Sequence, residues 1–264
     1  MKKYIENFKK YRFLLTELVK KDIKLKYRRS KLGILWTLIE PILTTIVLTI
    51  VFSGFRGKSD PTFPVYILSG RLLFAFFSGG TKAAARSIRT NSSMMRKVYV
   101  PKYMYPLATI LSNFIIFLIS LVVLVGAAII MPININWHVF LGIIPLVILF
   151  FITLGTGMIL ATAQVFFRDL EYLWGVITTL IMYCSGIFYK IEDMGSGRKT
   201  TGMLQTIMDW NPIYAVIKNF RCCVYLGIGM DYHALVYSIV VAVVLFSIGI
   251  YVFFKRQDEF MANN

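Results

Sequence analysis

The sequence predicts an all-α integral membrane protein. Six transmembrane helices follow a basic amphipathic N-terminal helix, with a short cytoplasmic helix between spans two and three and short re-entrant helices at the outer face. Three observations carry that prediction. Of the 264 residues, 57% are hydrophobic, against about 45–50% in soluble domains. Apolar stretches of roughly twenty residues recur, and a helix needs about twenty to cross a hydrocarbon core of roughly 30 Å. Lys and Arg cluster beside those stretches more than within them.

The first element is residues 1–32, a cytoplasmic amphipathic interface segment. It holds twelve Lys or Arg, opposed only by Glu6, Glu17 and Asp22. Phe8, Tyr11, Leu15, Leu18 and Val19 fall near one helical face, while Lys9, Lys10, Lys20, Lys21 and Lys24 lie largely elsewhere. That period suits a helix lying in the membrane interface, apolar face down. At Gly33 the charge stops, and residues 33–264 form the six-span domain.

The spans are read at about 33–53, 63–85, 103–131, 139–167, 170–189 and 234–254. Glu40-Pro41 interrupts the first. Arg71 interrupts the second, and Ser69-Gly70 threatens to break it. The third exceeds the length needed, so it should tilt or protrude. Residues 203–225 contain Asp209, Asn211, Pro212, Lys218, Asn219 and Arg221, too polar to cross alone. Asn211-Pro212 reads as a turn, so this stretch is expected as two short helices that dip into the outer face and return. Backbone at that depth must be covered by protein or water.

Charge sets the orientation. With the N-terminus inside, cytoplasmic segments carry twenty Lys or Arg and external ones seven, with Arg71 and Lys82 inside span two. Both termini are therefore expected in the cytoplasm. The net charge of +16 then reads as topology and attraction to anionic headgroups, and no nucleic-acid partner is expected. A cleavable signal peptide is not expected either, because the polar basic stretch is long and the first apolar run is a full span. Cys184, Cys222 and Cys223 have no metal-ligand spacing and read as small apolar packing residues.

Signals for catalysis are weak. His138 and His233 stand alone, no H-E-x-x-H is present, and no metal site is expected. Gly57-Lys58-Ser59 imitates the end of a P-loop, but Phe52 stands where the first glycine belongs. Asn91-Ser92-Ser93 matches a glycosylation sequon on the cytoplasmic side, where it has no meaning. The intramembrane charges Glu40 and Arg71 are candidates for function, because an unpaired charge in lipid is costly. Arg168-Asp169 reads as an interface anchor.

Two further features stay open on residues alone. Arg86–Lys102 holds five cations and no acid. Asn91 or Ser92 there can cap a short helix ending before Pro101, either a knob for a partner's groove or a charged turn. Phe52, Phe55, Tyr183, Phe188, Tyr189, Trp210, Tyr214 and Tyr225 map toward the outer half. They suit an interfacial belt or, as flat rings with polar tips, a path for a glycan. Thr153, Gly157 and Ala161 form a small-residue ridge for close helix packing.

The residue order resembles a known family. It runs Tyr27-Arg28-Arg29-Ser30-Lys31-Leu32-Gly33-Ile34-Leu35-Trp36 with Pro41, then Leu68-Ser69-Gly70, Lys97-Val98-Tyr99-Val100-Pro101, Phe167-Arg168-Asp169-Leu170, and Asn211-Pro212 with Phe220-Arg221. This is similar to the permease subunit of type-2 ABC exporters, in the branch exporting O-antigen polysaccharides and teichoic acids.

The resemblance implies a homodimer with two copies of a separate ABC ATPase, which binds the ATP and Mg; no cofactor is implied on this chain and no covalent chemistry. It makes Asn91, Met94, Met95, Arg96, Lys97 and Tyr99 the coupling helix on that ATPase. It implies a glycan substrate linked to undecaprenyl phosphate or pyrophosphate, with Arg28 and Arg29 as contacts for the pyrophosphate. The place is the bacterial cytoplasmic membrane. Arg71 departs from many relatives. The other readings are a type-2 permease for a drug or lipid, and a membrane-embedded transferase acting on a lipid-linked sugar.

Overall fold

The computed structural model describes residues 2–53, 60–97, 100–131, 133, 136–189 and 199–261. Every regular element among them is helical. In chain order they are α1 (Lys2–Tyr27), α2 (Trp36–Ser53), α3 (Phe63–Thr90), α4 (Ser92–Lys97), α5 (Met104–Ile130), α6 (Ile143–Phe166), α7 (Leu170–Tyr183), α8 (Lys199–Asp209), α9 (Pro212–Arg221) and α10 (Tyr232–Arg256). The segments built on α2, α3, α5, α6 and α10 are long and apolar enough to cross a membrane, and α7 is a shorter apolar helix. The chain is thus a multi-pass membrane protein.

Two expected spans change shape. Ser69-Gly70 does not break α3; the Ser69 hydroxyl turns back onto the Tyr66 carbonyl at 2.9 Å. The helix then runs on to Thr90 instead of ending near residue 85. The fifth span, expected over 170–189, is helical only to Tyr183. Its 14 residues reach about 21 Å at 1.5 Å per residue, short of a hydrocarbon core. Residues 184–189 turn away, and Gly186 at φ +58° takes the left-handed conformation that glycine adopts without strain.

α3 is the central helix, with α2, α5, α6, α7 and α9 all against it. The expected ridge on α6 works there. A side chain at Gly157 would meet Ile110 at 2.8 Å and Ala84 at 3.0 Å, and one at Gly80 would meet Thr153 at 2.9 Å. Another close approach was not read from the ridge. A Cβ on Gly249 of α10 would lie 2.4 Å from the Gly155 carbonyl oxygen of α6. Backbone meets backbone at that crossing.

The N-terminal helix forms as expected, but its apolar face is used differently. Leu15, Leu18 and Val19 are buried in the protein core, where α1 lies along α5. The 27 residues of α5 extend about 40 Å. That exceeds a hydrocarbon core of roughly 30 Å, and α1 packs on this helix. Thr109 of α5 donates to Asp22 at 3.0 Å. Burial pushes the Asp22 carboxyl above its ordinary range, with the Thr109 hydroxyl and Lys21 opposing. Phe13, 77% exposed, remains on the outer surface of the helix. The side chain of Phe8 lies outside the described residues.

Candidate functional site

Contacts define two ends of the bundle. At the basic end α1 meets Asn91 at the end of α3, α3 meets α7, and Lys102 before α5 meets the residues after α10. At the far end α9 meets α3 and the turn after α7. Between them lies a polar cavity.

At the basic end Asn91 terminates α3. Its amide donates to the Ser87 carbonyl at 2.9 Å, and its side-chain oxygen accepts from Lys21 of α1 at 2.9 Å. Asn91 is buried where these bonds meet. Met94 and Met95 of α4 are half-buried against the core, while Arg96 and Lys97 are exposed; Tyr99 lies outside the described residues. Arg86 and Arg89, in the last turns of α3, both reach Glu171 at the start of α7, the second at 3.7 Å. The end of α3 that leads into α4 is thus bonded to α1 through Asn91 and Lys21, and to α7 through the Arg86 and Arg89 ion pairs with Glu171.

The mid-depth cavity has a volume of about 240 Å³ and lies among α1, α2, α3 and α5. Lys26 and Tyr27 line one side; Glu40, Arg71, Asn113 and Ser120 line the others. Glu40 and Arg71 form an ion pair at 4.0 Å. The two intramembrane charges thus partner each other. Pro41 shapes the wall: lacking an N–H, it leaves the Thr37 carbonyl without its helix donor. Ser120 of α5 fills that place at 3.1 Å. Arg28 and Arg29 stand apart from the cavity lining, on the exposed stretch after α1.

Residues 14–225 match the ABC-2 type transporter family. The chain belongs to that family. Among similar proteins is an O-antigen export system permease protein RfbA from Myxococcus xanthus, 27% identical over 260 residues and 98% of each chain. One of the same name from Klebsiella pneumoniae is 25% identical over 250 residues, 94% of this chain and 93% of the other. The polysialic acid transport protein KpsM of Escherichia coli is 20% identical over 263 residues, 97% of this chain and 98% of the other.

In this ABC-2 chain the far end is held by two side chains of the 203–225 stretch. Asn211 caps α9 by accepting from Ile213 N at 3.0 Å, and its amide donates to the Cys184 carbonyl at 3.0 Å and the Ser185 hydroxyl at 2.9 Å. It thereby occupies carbonyls that the end of α7 leaves open. Arg221 reaches further. Its guanidinium donates to the Tyr66 and Gly186 carbonyls at 2.8 Å each and lies 3.5 Å over the Tyr66 ring. The Tyr66 hydroxyl in turn donates to the Gly186 and Tyr189 carbonyls at 3.0 Å. Gly70 leaves room for this: a Cβ there would lie 2.4 Å from Arg221 Nη2.

The aromatics divide. Phe52 stacks on Phe188 at 5.2 Å, Tyr183 lies 6.1 Å from Phe188, and Tyr214 sits against Gly186. Tyr189 spends its hydroxyl on the Tyr183 carbonyl. These rings pack the turn after α7. Tyr183 and Trp210 keep open faces, at 56% and 75% exposure. Phe55 lies outside the described residues. The sequence reading missed Arg221 as a buried fork and treated it as an external charge. Its signal was position: Ile213, Ile217 and Arg221 recur every four residues, which puts the arginine on the apolar stripe of α9.

Proposed function

We propose that this chain is the membrane-spanning permease of an ATP-driven exporter that carries a lipid-linked cell-surface polysaccharide across the bacterial cytoplasmic membrane. The observation that carries the reading is full-length similarity to permeases named for O-antigen export. The geometry supports this: a short basic helix at one end of an apolar bundle packs Met94 and Met95 on the core and follows Asn91, which is bonded to α1 and α3. The bundle makes six passes, α7 completing its pass with the turn at 184–189. Both termini lie in the cytoplasm. Helices α8 and α9 dip into the outer face, and Asn211 and Arg221 supply the polar cover that such a dip needs.

The exposed apolar sides of α2 and α7, including Ile46, Ile50, Val176 and Leu180, are the faces a second copy would cover, giving a homodimer around the glycan path. Two copies of a partner ATPase hold ATP and Mg. Asn91, Met94, Met95, Arg96, Lys97 and Tyr99 pass its motion to the spans. The undecaprenyl-linked phosphate approaches past Arg28 and Arg29 toward Lys26 and Arg71. Tyr183 and Trp210 offer sugar-stacking faces at the outer side. Membrane lipids fill the remaining surface.

The decisive experiment exchanges Met94, Met95 or Arg96 for aspartate in the assembled exporter. ATP hydrolysis is expected to continue while the surface polysaccharide is lost. Unchanged export at an unchanged hydrolysis rate would overturn the reading.

A further inference from the structure

A second cavity, of about 770 Å³, lies among α5, α6 and α10 and shares no lining residue with the polar one. Leu154 and Met158 of α6 form its floor. Leu107 of α5 and Phe246, Ile250 and Tyr251 of α10 are among its walls. Tyr103 and Phe254, with rings 5.8 Å apart, close one end. That is the basic end, since Lys102 beside Tyr103 donates to the Gln257 carbonyl after α10.

The walls are apolar, the end is cationic. Lys255 lines the cavity with its ammonium 5.7 Å from the Tyr251 ring, and no carboxylate pairs with it among the described residues. Arg256 follows it in the chain but is paired with Glu259 at 3.1 Å, and Lys102 is held by the Gln257 carbonyl. The floor helix α6 separates the cavity from α3 and from the Glu40–Arg71 pair. Along a membrane-spanning bundle, an apolar slot open on one side is covered by hydrocarbon. A basic residue at its mouth attracts the anionic headgroups of the leaflet, and the lysine stem follows apolar surface while its head stays polar.

We infer that this slot is a binding site for an anionic glycerophospholipid, with an acyl chain against Leu154, Met158 and Ile250 and the phosphate at Lys255. The chain would act as a fixed part of the wall that α5, α6 and α10 leave open.

The test uses the full chain in nanodiscs of phosphatidylglycerol and phosphatidylcholine, read by native mass spectrometry for retained phospholipid. The wild type should retain phosphatidylglycerol in preference to phosphatidylcholine. Lys255→Gln should lower that preference about fivefold, the order expected of one cation at an anionic surface, and Lys255→Arg should keep it. Ser247→Trp, at the slot wall, should remove the retained lipid whatever its headgroup. Three outcomes would overturn the inference. One is equal retention of both lipids by wild type and Lys255→Gln. Another is full retention in a folded Ser247→Trp protein. The last is disulfide crosslinking of Ser247→Cys to a second copy, which would make the slot an interface.

Discussion

Replacing Arg221 with methionine removes the fork that joins α9 to α3 and to the turn after α7. Two hydrogen bonds of 2.8 Å are lost, to the Tyr66 and Gly186 carbonyls, each worth about 1.5–3 kcal/mol because the donor is charged. The stacked contact on Tyr66 adds on the order of 2 kcal/mol in a desolvated place. Two effects act against this. The wild-type guanidinium is costly to desolvate, and a methionine of similar volume recovers apolar contact. The carbonyls also keep other donors, the Ser69 hydroxyl on Tyr66 and the Tyr66 hydroxyl on Gly186. The net loss should be about 2–5 kcal/mol, or about 4–20 °C in unfolding temperature at roughly 2–4 °C per kcal/mol. Thermal unfolding in detergent, followed by intrinsic fluorescence at one fixed scan rate because such unfolding is irreversible, measures it. Arg221→Lys should recover little, since an ammonium lacks the planar fork. Gly70→Ala should act like Arg221→Met by displacing Nη2. An Arg221→Met protein melting within about 2 °C of wild type would refute the reasoning, and so would full rescue by lysine.

Gly249→Ala places a methyl against the Gly155 carbonyl, 2.4 Å away; backbone yields poorly, so a loss of at least about 1–3 kcal/mol is expected, read as a lower melting temperature. Ser120→Ala orphans the Thr37 carbonyl that Pro41 leaves free, at about 1–3 kcal/mol. The same change in a Pro41→Ala background should be nearly silent, and a double-mutant cycle checks this. At the far end Asp231 caps α10 and accepts from Lys218 at 2.7 Å. The Lys218 bond is the largest of the effects holding its carboxyl below the ordinary 3.8. A depressed acid stabilises the fold above its unfolded value and loses that contribution as pH falls through the lower folded value. Stability from this site should therefore be flat at neutral pH and decline below about pH 4. Asp231→Asn keeps the cap but should abolish that acid limb in a melting-versus-pH series.

The sequence alone determined which segments leave water, and where the chain turns. Apolar length decides partition into lipid locally, segment by segment, so α2, α5, α6 and α10 were legible within a few residues. The Asn211-Pro212 break was legible too, because proline and a capping amide act on their own neighbours. The tertiary structure decided what each polar group does inside the bundle. Arg221 meets Tyr66 and Gly186 across 155 and 35 residues of chain, and Ser120 meets Thr37 across 83. No local pattern specifies such partners. The apolar stripe of α1 was plain in the sequence, yet that it rests on α5 emerges only when the two helices are brought together. The Gly155–Gly249 crossing likewise exists only once two backbones approach. Hydropathy is a property of a segment; a hydrogen bond or a close approach belongs to a pair.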